Sequence, residues 1–232
     1  MVPLEALANR PRIAPDEYVR WLMYANAGMT HVGTPYCLDH VLGNLPSDNP
    51  MIEIGPFCGL STNLITYYAR KHGRANHLLS ADTWSYRSPD KGGTLGETDV
   101  TFRDYCEFVK DSFMRNVKTL GVGGLPFALQ QSSDAFFELW RAGAEVTDIF
   151  DRQLGLGGPI SFAYIDGDHG YEPVARDFAN SDAFLEPGGF VFLDDSGDLS
   201  RFDGVRKVAR EIESSGRYEV VMKNPHYLFR KI

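Results

Sequence analysis

The sequence predicts a doubly wound α/β fold whose seven-stranded sheet is mostly parallel, with a helical addition at the N-terminus. Short apolar runs suited to buried strands alternate with longer segments of helical periodicity. The first run ends in a glycine turn and three later runs end in acids, at the edge where such sheets bind ligands. The last two strand-like segments follow each other without a helix between them, which predicts one antiparallel strand.

Length, charge and cysteine content narrow the class of protein. The 232 residues fit one domain, which we divide into a helical cap over 1–50 and a core over 51–232 with an insertion at 85–124. The net charge of −8, matched by the local charge of residues 166–203 alone, argues against a nucleic-acid partner. Three separated cysteines and the lack of a signal-like or membrane-spanning segment predict a cytoplasmic protein, and leave homo-oligomers open.

The elements follow from turn signals and apolar periodicity. A helix is expected to start at Pro15-Asp-Glu, and a second to cover 36–45. Strands are expected at 51–54, 77–82, 125–130, 160–166, 190–194, 218–222 and 226–231. Helices are expected from residue 61 and at 102–120, 136–140, 172–184 and 202–214. Residues 141–158 receive no role, and residues 1–45 and 85–124 are expected to cover the substrate.

A glycine turn follows the first strand. Gly55 and Gly59 allow positive φ and close approach of a ligand, and the helix starting near Ser61 offers free N–H groups. A dinucleotide fingerprint would place a glycine where this chain has Phe57. Glu53, two residues before the turn, would repel a pyrophosphate. It suits a ligand that carries an amine or a sulfonium cation.

Polar residues also end the second and third strands. Asp82 is positioned to accept hydrogen bonds from ribose hydroxyls, or else caps a turn. Trp84 either stacks on an adenine or lines the pocket. After the third strand, Ser133 or Asp134 is expected to cap the next helix.

Acids end the fourth and fifth strands. Asp166 and the pair Asp194-Asp195 are therefore expected to converge. Close carboxylates repel each other unless a cation lies between them, and oxygen ligands favour Mg²⁺, Mn²⁺ or Ca²⁺ over zinc. His169 lies near the same edge and suits a general base. Two alternatives stay open: Asp168 takes the place of Asp166, or the acidic pair only caps a turn.

The glycine turn carries a resemblance to a known family. The acid at position 53, the glycines at 55 and 59 and the serine at 61 resemble the first motif of class I methyltransferases that use S-adenosylmethionine, which have a Rossmann-like fold. Asp166-x-x-His169, Gly188-Gly189 and Asp194-Asp195 further resemble the metal-dependent macrolide sugar O-methyltransferases, the cephalosporin-hydroxylase-like methyltransferases and, more distantly, the catechol O-methyltransferases. The likeness covers about residues 50–232.

The resemblance implies O-methylation of a small-molecule hydroxyl, on a sugar, a natural product or a catechol-like vicinal diol. It implies S-adenosyl-L-methionine as cofactor, bound by Glu53, Gly55, Cys58, Gly59, Ser61, Asp82, Thr83, Trp84, Ser132, Ser133 and Asp166. It assigns Asp166, Asp194 and Asp195 to a divalent metal, with Mg²⁺ first and Mn²⁺ or Ca²⁺ as alternatives. It also assigns catalysis to His169, as the proton acceptor, and to Asp166.

Three other functions remain open on the sequence. One is a metal-independent methyltransferase in which Asp194-Asp195 is structural. Another is a nicotinamide-dependent oxidoreductase, which Phe57 in place of a glycine disfavours. The last is a non-catalytic nucleotide-binding module, since binding motifs do not prove turnover.

Overall fold

A computed structural model describes residues 11–14, 16–85 and 92–232. Parts of the predicted N-terminal arm and insertion, together with the helix start at Pro15, lie outside these residues. The helices are α1 Glu17–Ala25, α2 Thr34–Gly43, α3 Leu60–Lys71, α4 Phe102–Thr119, α5 Ser133–Ala142, α6 Tyr171–Asp182 and α7 Asp203–Ser214. The strands are β1 Met51–Ile54, β2 Leu78–Asp82, β3 Phe127–Gln130, β4 Glu145–Thr147, β5 Gln153–Gly155, β6 Ile160–Ile165, β7 Leu185–Leu193, β8 Tyr218–Lys223 and β9 Tyr227–Lys231.

Seven strands form one sheet in the order β3-β2-β1-β6-β7-β9-β8. Strand β9 runs antiparallel to both of its neighbours, and the remaining strands are parallel to one another. This confirms the predicted fold class. The register pairs Ile54 with Ala81 and Ile165, and Ile165 with Leu193, so the carboxyl ends of β1, β2, β6 and β7 meet at one edge.

Apolar side chains on the two faces of the sheet build two core layers. On β6, Phe162 and Tyr164 face the layer formed with α1, α2 and α3, whereas Ala163 and Ile165 face the layer formed with α5, α6 and α7. This burial on both faces explains why β6 reads as an uninterrupted apolar run. Helix α4 and Trp84 belong to a third, smaller cluster beside the glycine turn.

Part of the cap predicted over residues 1–50 packs into the core of the domain. Helix α2 buries Cys37, Leu38 and Val41 completely against α3 and the sheet. Because these contacts are part of the main core, we assign residues 34–43 to the body of the domain. Residues 26–33 lie across the glycine turn, as described below.

The structure adds two features to the elements predicted from the sequence: a hairpin in residues 141–158 and the burial of side chains on α4. Residues 141–158, which had no assigned role, contain the antiparallel hairpin β4–β5, whose turn is held by an ion pair between Asp148 and Arg152. On α4, Val109 and Phe113 are buried, whereas Phe108 is 57% exposed. No helix in the described part of the chain is long and apolar enough to cross a membrane.

Candidate active site

The turn after β1 depends on two glycines. Gly55 has φ +81°, and a Cβ atom at this position would lie 2.0 Å from the carbonyl oxygen of Asp166. Gly59 has φ +86°, and a Cβ there would lie 3.1 Å from Val117 Cγ1. Glycine therefore lets the end of β1 approach the end of β6, and it lets α3 begin close against α4.

Glu53 lies beneath the turn, fully buried. Its carboxylate accepts hydrogen bonds from Ser61 Oγ at 2.6 Å, Thr62 Oγ1 at 2.7 Å and Ser80 Oγ at 2.6 Å. Burial raises the pKa of Glu53, and the three hydroxyl donors oppose that rise. These bonds tie the first turn of α3 to β1 and β2. Both Glu53 and Ser61 thus have structural tasks, and their direct contact with a cofactor stays a prediction.

Asp82 and Trp84 lie at the end of β2. Asp82 Oδ1 accepts a hydrogen bond from the Trp84 backbone N–H at 2.7 Å. The Trp84 indole is 2% exposed, donates from Nε1 to the Phe57 carbonyl at 3.1 Å and packs against Phe113. An indole buried this deeply supports the wall of the site and has little free face for stacking on an adenine. Thr83, between the two residues, is exposed.

Cys58 is buried within the glycine turn. Its backbone carbonyl accepts hydrogen bonds from Asn26 Nδ2 at 3.1 Å and from Asn116 Nδ2 at 2.9 Å. Burial raises the pKa of the Cys58 thiol to about 11, so the thiol stays protonated at neutral pH. Cys58 consequently joins the turn to the N-terminal segment and α4 through its backbone.

The serines after β3 have different partners. Ser132, which is exposed, caps α5 by accepting from the Ala135 N–H at 3.2 Å; the cap expected at Ser133 or Asp134 is therefore wrong by one or two residues. Ser133 instead hydrogen-bonds the buried carboxyl of Asp177 on α6. Burial raises the pKa of Asp177 to about 6, and the bond from Ser133 opposes that rise.

The carboxylates after β6 and β7 converge with His169. His169 Nε2 lies 2.9 Å from Asp195 Oδ2 and 3.9 Å from Asp166 Oδ1. Asp194 is buried, and Asp195 has φ +54°, an uncommon backbone conformation for a non-glycine residue. Asp168 points away from this cluster: it is exposed, and its Oδ1 accepts from the Gly170 N–H at 2.7 Å. Of the two alternatives after β6, the structure brings Asp166 into the cluster.

The charges of this cluster are unevenly distributed. Burial and the neighbouring Asp194 and Asp195 raise the pKa of Asp166 well above its ordinary value. Burial also acts to raise the pKa of Asp195, but its bond and charge interaction with His169 outweigh burial and lower that pKa. The two carboxyl groups are thus shifted in opposite directions: Asp166 toward its neutral form, and Asp195 toward its ionised form beside His169.

The donor atoms fit a divalent cation. Asp166, His169 and Asp195 offer ligand atoms within 4.8 Å of one another, and so do Asp194, Asp195 and His226. Carboxylates at the ends of two neighbouring strands repel each other because their charges are both negative, and a divalent ion between them would remove this repulsion. Each of these groups also contains one histidine, which lies close enough to its carboxylates to hold them in place.

Two histidines of this region were not predicted from the sequence to belong to the site. His226, which precedes β9, is buried with Nε2 3.2 Å from Asp194 Oδ1. His31, in the N-terminal segment, meets the ring of His226 edge-to-face at 5.5 Å between centroids. Burial and His226 lower the pKa of His31, against the opposing charges of Asp194 and Asp195. The sequence signal for His226 was its position as the first residue of the strand predicted at 226–231.

The seven-stranded sheet with a reversed β9, and the glycine turn after β1, define a class I methyltransferase domain. A family profile described as "Methyltransferase domain" matches residues 52–196, and the chain belongs to this family. The class I S-adenosylmethionine-dependent methyltransferase predicted from the sequence is thereby confirmed.

Solved structures with low sequence identity have the same fold. An O-methyltransferase from Bacillus cereus in complex with SAH matches with a TM-score of 0.53 and 14% identity, over 95% of this chain and 92% of that one. A putative O-methyltransferase from Klebsiella pneumoniae gives 0.57 and 13%, over 95% and 91%. The TDP-rhamnose 3′-O-methyltransferase of calicheamicin biosynthesis gives 0.50 and 15%, over 99% and 87%. A search of curated proteins returned no significant match.

Proposed function

We propose that this protein transfers a methyl group from S-adenosylmethionine to a hydroxyl oxygen of a small molecule, at a site that also binds a divalent metal. The proposal rests on the close approach of two parts of the site: the glycine turn after β1, where the cofactor would bind, and the cluster of carboxylates and histidines, where the acceptor would bind. The glycine turn after β1 touches the backbone of Asp166, and Asp166 belongs to the cluster of carboxylates and histidines. A cofactor on the turn would therefore lie next to an acceptor held at the cluster.

The cofactor half comprises the turn and the ends of β2 and β3. S-adenosylmethionine supplies the electrophilic methyl group when it is bound. Gly55 and Gly59 leave room for it, while Asp82 is positioned to accept from ribose hydroxyls and Ser132 and Ser133 to border the base. Cys58 and Thr83 complete the predicted contact surface through the turn and the end of β2. Binding of SAH or S-adenosylmethionine by solved proteins of this fold supports this choice.

The acceptor half comprises the carboxylate cluster. Asp166, Asp194 and Asp195 would hold a divalent metal, which lowers the pKa of an acceptor hydroxyl and orients it. His169 accepts the hydroxyl proton at Nδ1, the ring nitrogen that Asp195 does not hold, and Asp195 Oδ2, 2.9 Å from Nε2, stabilises the imidazolium that results. The Phe202 ring stacked on His169, with 4.0 Å between centroids, restricts the orientation of the imidazole.

The N-terminal segment 26–33 supports the covering role that we assign to this part of the chain. Asn26 Nδ2 donates to the Cys58 carbonyl, and a Cβ on Gly28 would lie 2.6 Å from Leu60 Cβ. At the other end of the segment, His31 contacts His226 beside Asp194. One short segment thus spans both halves of the site. A sugar, a natural product or a catechol-like diol fits this proposal, and the methylation of a sugar nucleotide by one protein of the same fold supports the small-molecule class.

A metal-independent reaction is the second candidate. It is favoured by the contact of His169 with Asp195, because a protonated His169 would neutralise a carboxylate without a metal. The oxidoreductase and the non-catalytic module are less well supported, since the chain belongs to a methyltransferase family.

The test measures methyl transfer to a panel of vicinal diols and sugars in EDTA, and then after Mg²⁺ or Mn²⁺ is restored. We expect activity only with metal, and its loss in Asp195→Ala with cofactor affinity retained. His169→Ala should keep the metal but slow the chemical step by about 10²–10⁴-fold. Asp168→Asn is the matched control, since this neighbouring carboxylate lies outside the cluster. Full activity in EDTA, with metal analysis confirming an empty site, would reject the metal and favour the second candidate.

A further inference from the structure

His226 is a buried polar residue that the proposed mechanism does not use. We propose that His226 is a positioning residue, which as an Nε2–H donor fixes the Asp194 carboxylate in the orientation that binds the cation. The inference rests on the proposed function, because it is the metal that gives the orientation of Asp194 its importance. His226 lies 31 residues beyond Asp195, the second acid of the Asp194-Asp195 pair, so no local motif connects the histidine to the pair.

Strand register brings His226 to the site. Strands β7 and β9 are antiparallel with Leu193 opposite Tyr227, so the residue before β9 faces the residue after β7. The Ser196 hydroxyl strengthens this corner by donating to the Leu193 carbonyl at 2.5 Å and accepting from the Tyr227 N–H at 2.8 Å. The loop that carries the acidic pair is therefore held by the strand that begins after His226.

The contacts of the two ring nitrogens indicate the tautomer of His226. Nδ1 accepts from the Gly197 backbone N–H at 3.3 Å, so this nitrogen carries a lone pair. The ring proton of the neutral imidazole then lies on Nε2, which is 3.2 Å from Asp194 Oδ1. In this arrangement both nitrogens are engaged, and His226 acts on the cation through Asp194 and not as a ligand.

Asp194 is held from three directions. Its Oδ2 accepts from the Tyr164 hydroxyl at 2.6 Å, and its Oδ1 accepts from the Asp195 N–H at 2.9 Å as well as facing His226. A carboxylate offers about four lone-pair positions, so one remains, on Oδ2. Asp166 also forms a side-chain hydrogen bond with Asp194, so the two carboxyl groups that would share the cation lie next to each other. Removing His226 would leave Oδ1 held by the Asp195 N–H alone and would give the carboxylate more freedom to rotate away from this orientation.

The experiment compares Mn²⁺ binding by His226→Gln and His226→Leu, using the full chain with S-adenosylhomocysteine present. Mn²⁺ binding is followed by electron paramagnetic resonance. Glutamine keeps an N–H donor at nearly the same reach, whereas leucine fills the space without a donor. Hydrogen-bonding partners of metal ligands typically contribute 10–100-fold to metal affinity. We expect a loss of that size in His226→Leu and a loss of less than about fivefold in His226→Gln.

His40→Leu is the matched control. The His40 ring meets Phe190 of β7 edge-to-face at 6.2 Å, and the His226 ring meets Phe192 of the same strand at the same distance and nearly the same angle. The control therefore loses a similar ring contact without touching a carboxylate of the cluster, and its Mn²⁺ affinity should not change. S-adenosylhomocysteine affinity, measured by calorimetry, reports whether each variant is folded.

The outcomes separate this inference from the proposed function. If the wild-type protein does not bind Mn²⁺, the metal mechanism fails. If it binds and His226→Leu binds equally well, the positioning role fails while the metal mechanism stands. Equal losses in His226→Leu and His226→Gln would also overturn the positioning role, because a donor at this place would then not suffice. If His226→Leu does not fold, the comparison of His226→Gln with wild type decides: a loss of tenfold or more overturns the inference.

Discussion

Replacing Asp177 by asparagine should stabilise this protein at neutral pH. Asp177 is 3% exposed on α6, and a Cβ on Gly167 would lie 3.2 Å from its Oδ2, so the carboxyl lies directly under the loop that follows β6. Burial raises its pKa to about 6, and the nearby Asp134 and Asp168 act in the same direction. Asparagine has nearly the same shape and can still accept the hydrogen bond from Ser133, but it carries no charge.

The magnitude follows from the pKa. An unfolded aspartate titrates near 3.9, and each pH unit of difference is worth about 1.4 kcal/mol, so ionised Asp177 costs up to about 3 kcal/mol. The sign follows from proton binding. Below about pH 4 the carboxyl is protonated in both states and costs nothing, whereas stability is lost as the pH rises through the folded pKa of about 6. The gain of Asp177→Asn should therefore be close to zero at pH 4 and largest above pH 6.

Thermal unfolding between pH 4 and 8 measures this effect. For a chain of this size, 3 kcal/mol corresponds to a rise in melting temperature of roughly 6–12 °C. Asp182→Asn is the opposite control. Burial acts to raise the pKa of Asp182, but bonds from Lys231, Tyr218 and Arg217 outweigh it and lower that pKa, so this substitution should destabilise the protein at neutral pH. A gain in Asp177→Asn that is the same at pH 4 and pH 8 would refute the reasoning, because the charge would not then be its cause.

Further predictions concern the cofactor half of the site. Asp82→Ala should weaken S-adenosylmethionine binding by about 1.5–3 kcal/mol, the scale of a hydrogen bond to a charged group, and unchanged affinity in calorimetry would remove Asp82 from the site. Gly55→Ala should lower the unfolding free energy in urea by more than the roughly 1–2 kcal/mol of left-handed strain, because the added methyl group meets the Asp166 carbonyl. Gly73→Ala is the matched control, since Gly73 has φ +64° with open space around it; equal losses would mean that the contact with β6 is unimportant.

Local sequence patterns were enough to predict the strands and helices of the main sheet and the polar residues at the strand ends, but not the hairpin β4–β5. Apolar periodicity and turn residues are local signals, so the alternation of strands and helices could be predicted without long-range information. Because parallel strands end at a common edge, the convergence of Asp166 with Asp194 and Asp195 also followed from the sequence. The glycine turn was equally predictable, since Gly55 and Gly59 are the residues that positive φ requires.

The directions and contacts of the polar side chains became known only from the packing of the elements. The cofactor contact of Glu53 stays a prediction, whereas its hydrogen bonds to hydroxyls of α3 and β2 depend on how helix and sheet pack and could not be predicted from the sequence. Trp84 proved to be buried against α4 for the same reason. His226 reaches Asp194 through the register of two antiparallel strands, and His31 reaches His226 from nearly two hundred residues away in the chain. Such contacts depend on side-chain direction and strand register, which local sequence patterns do not contain.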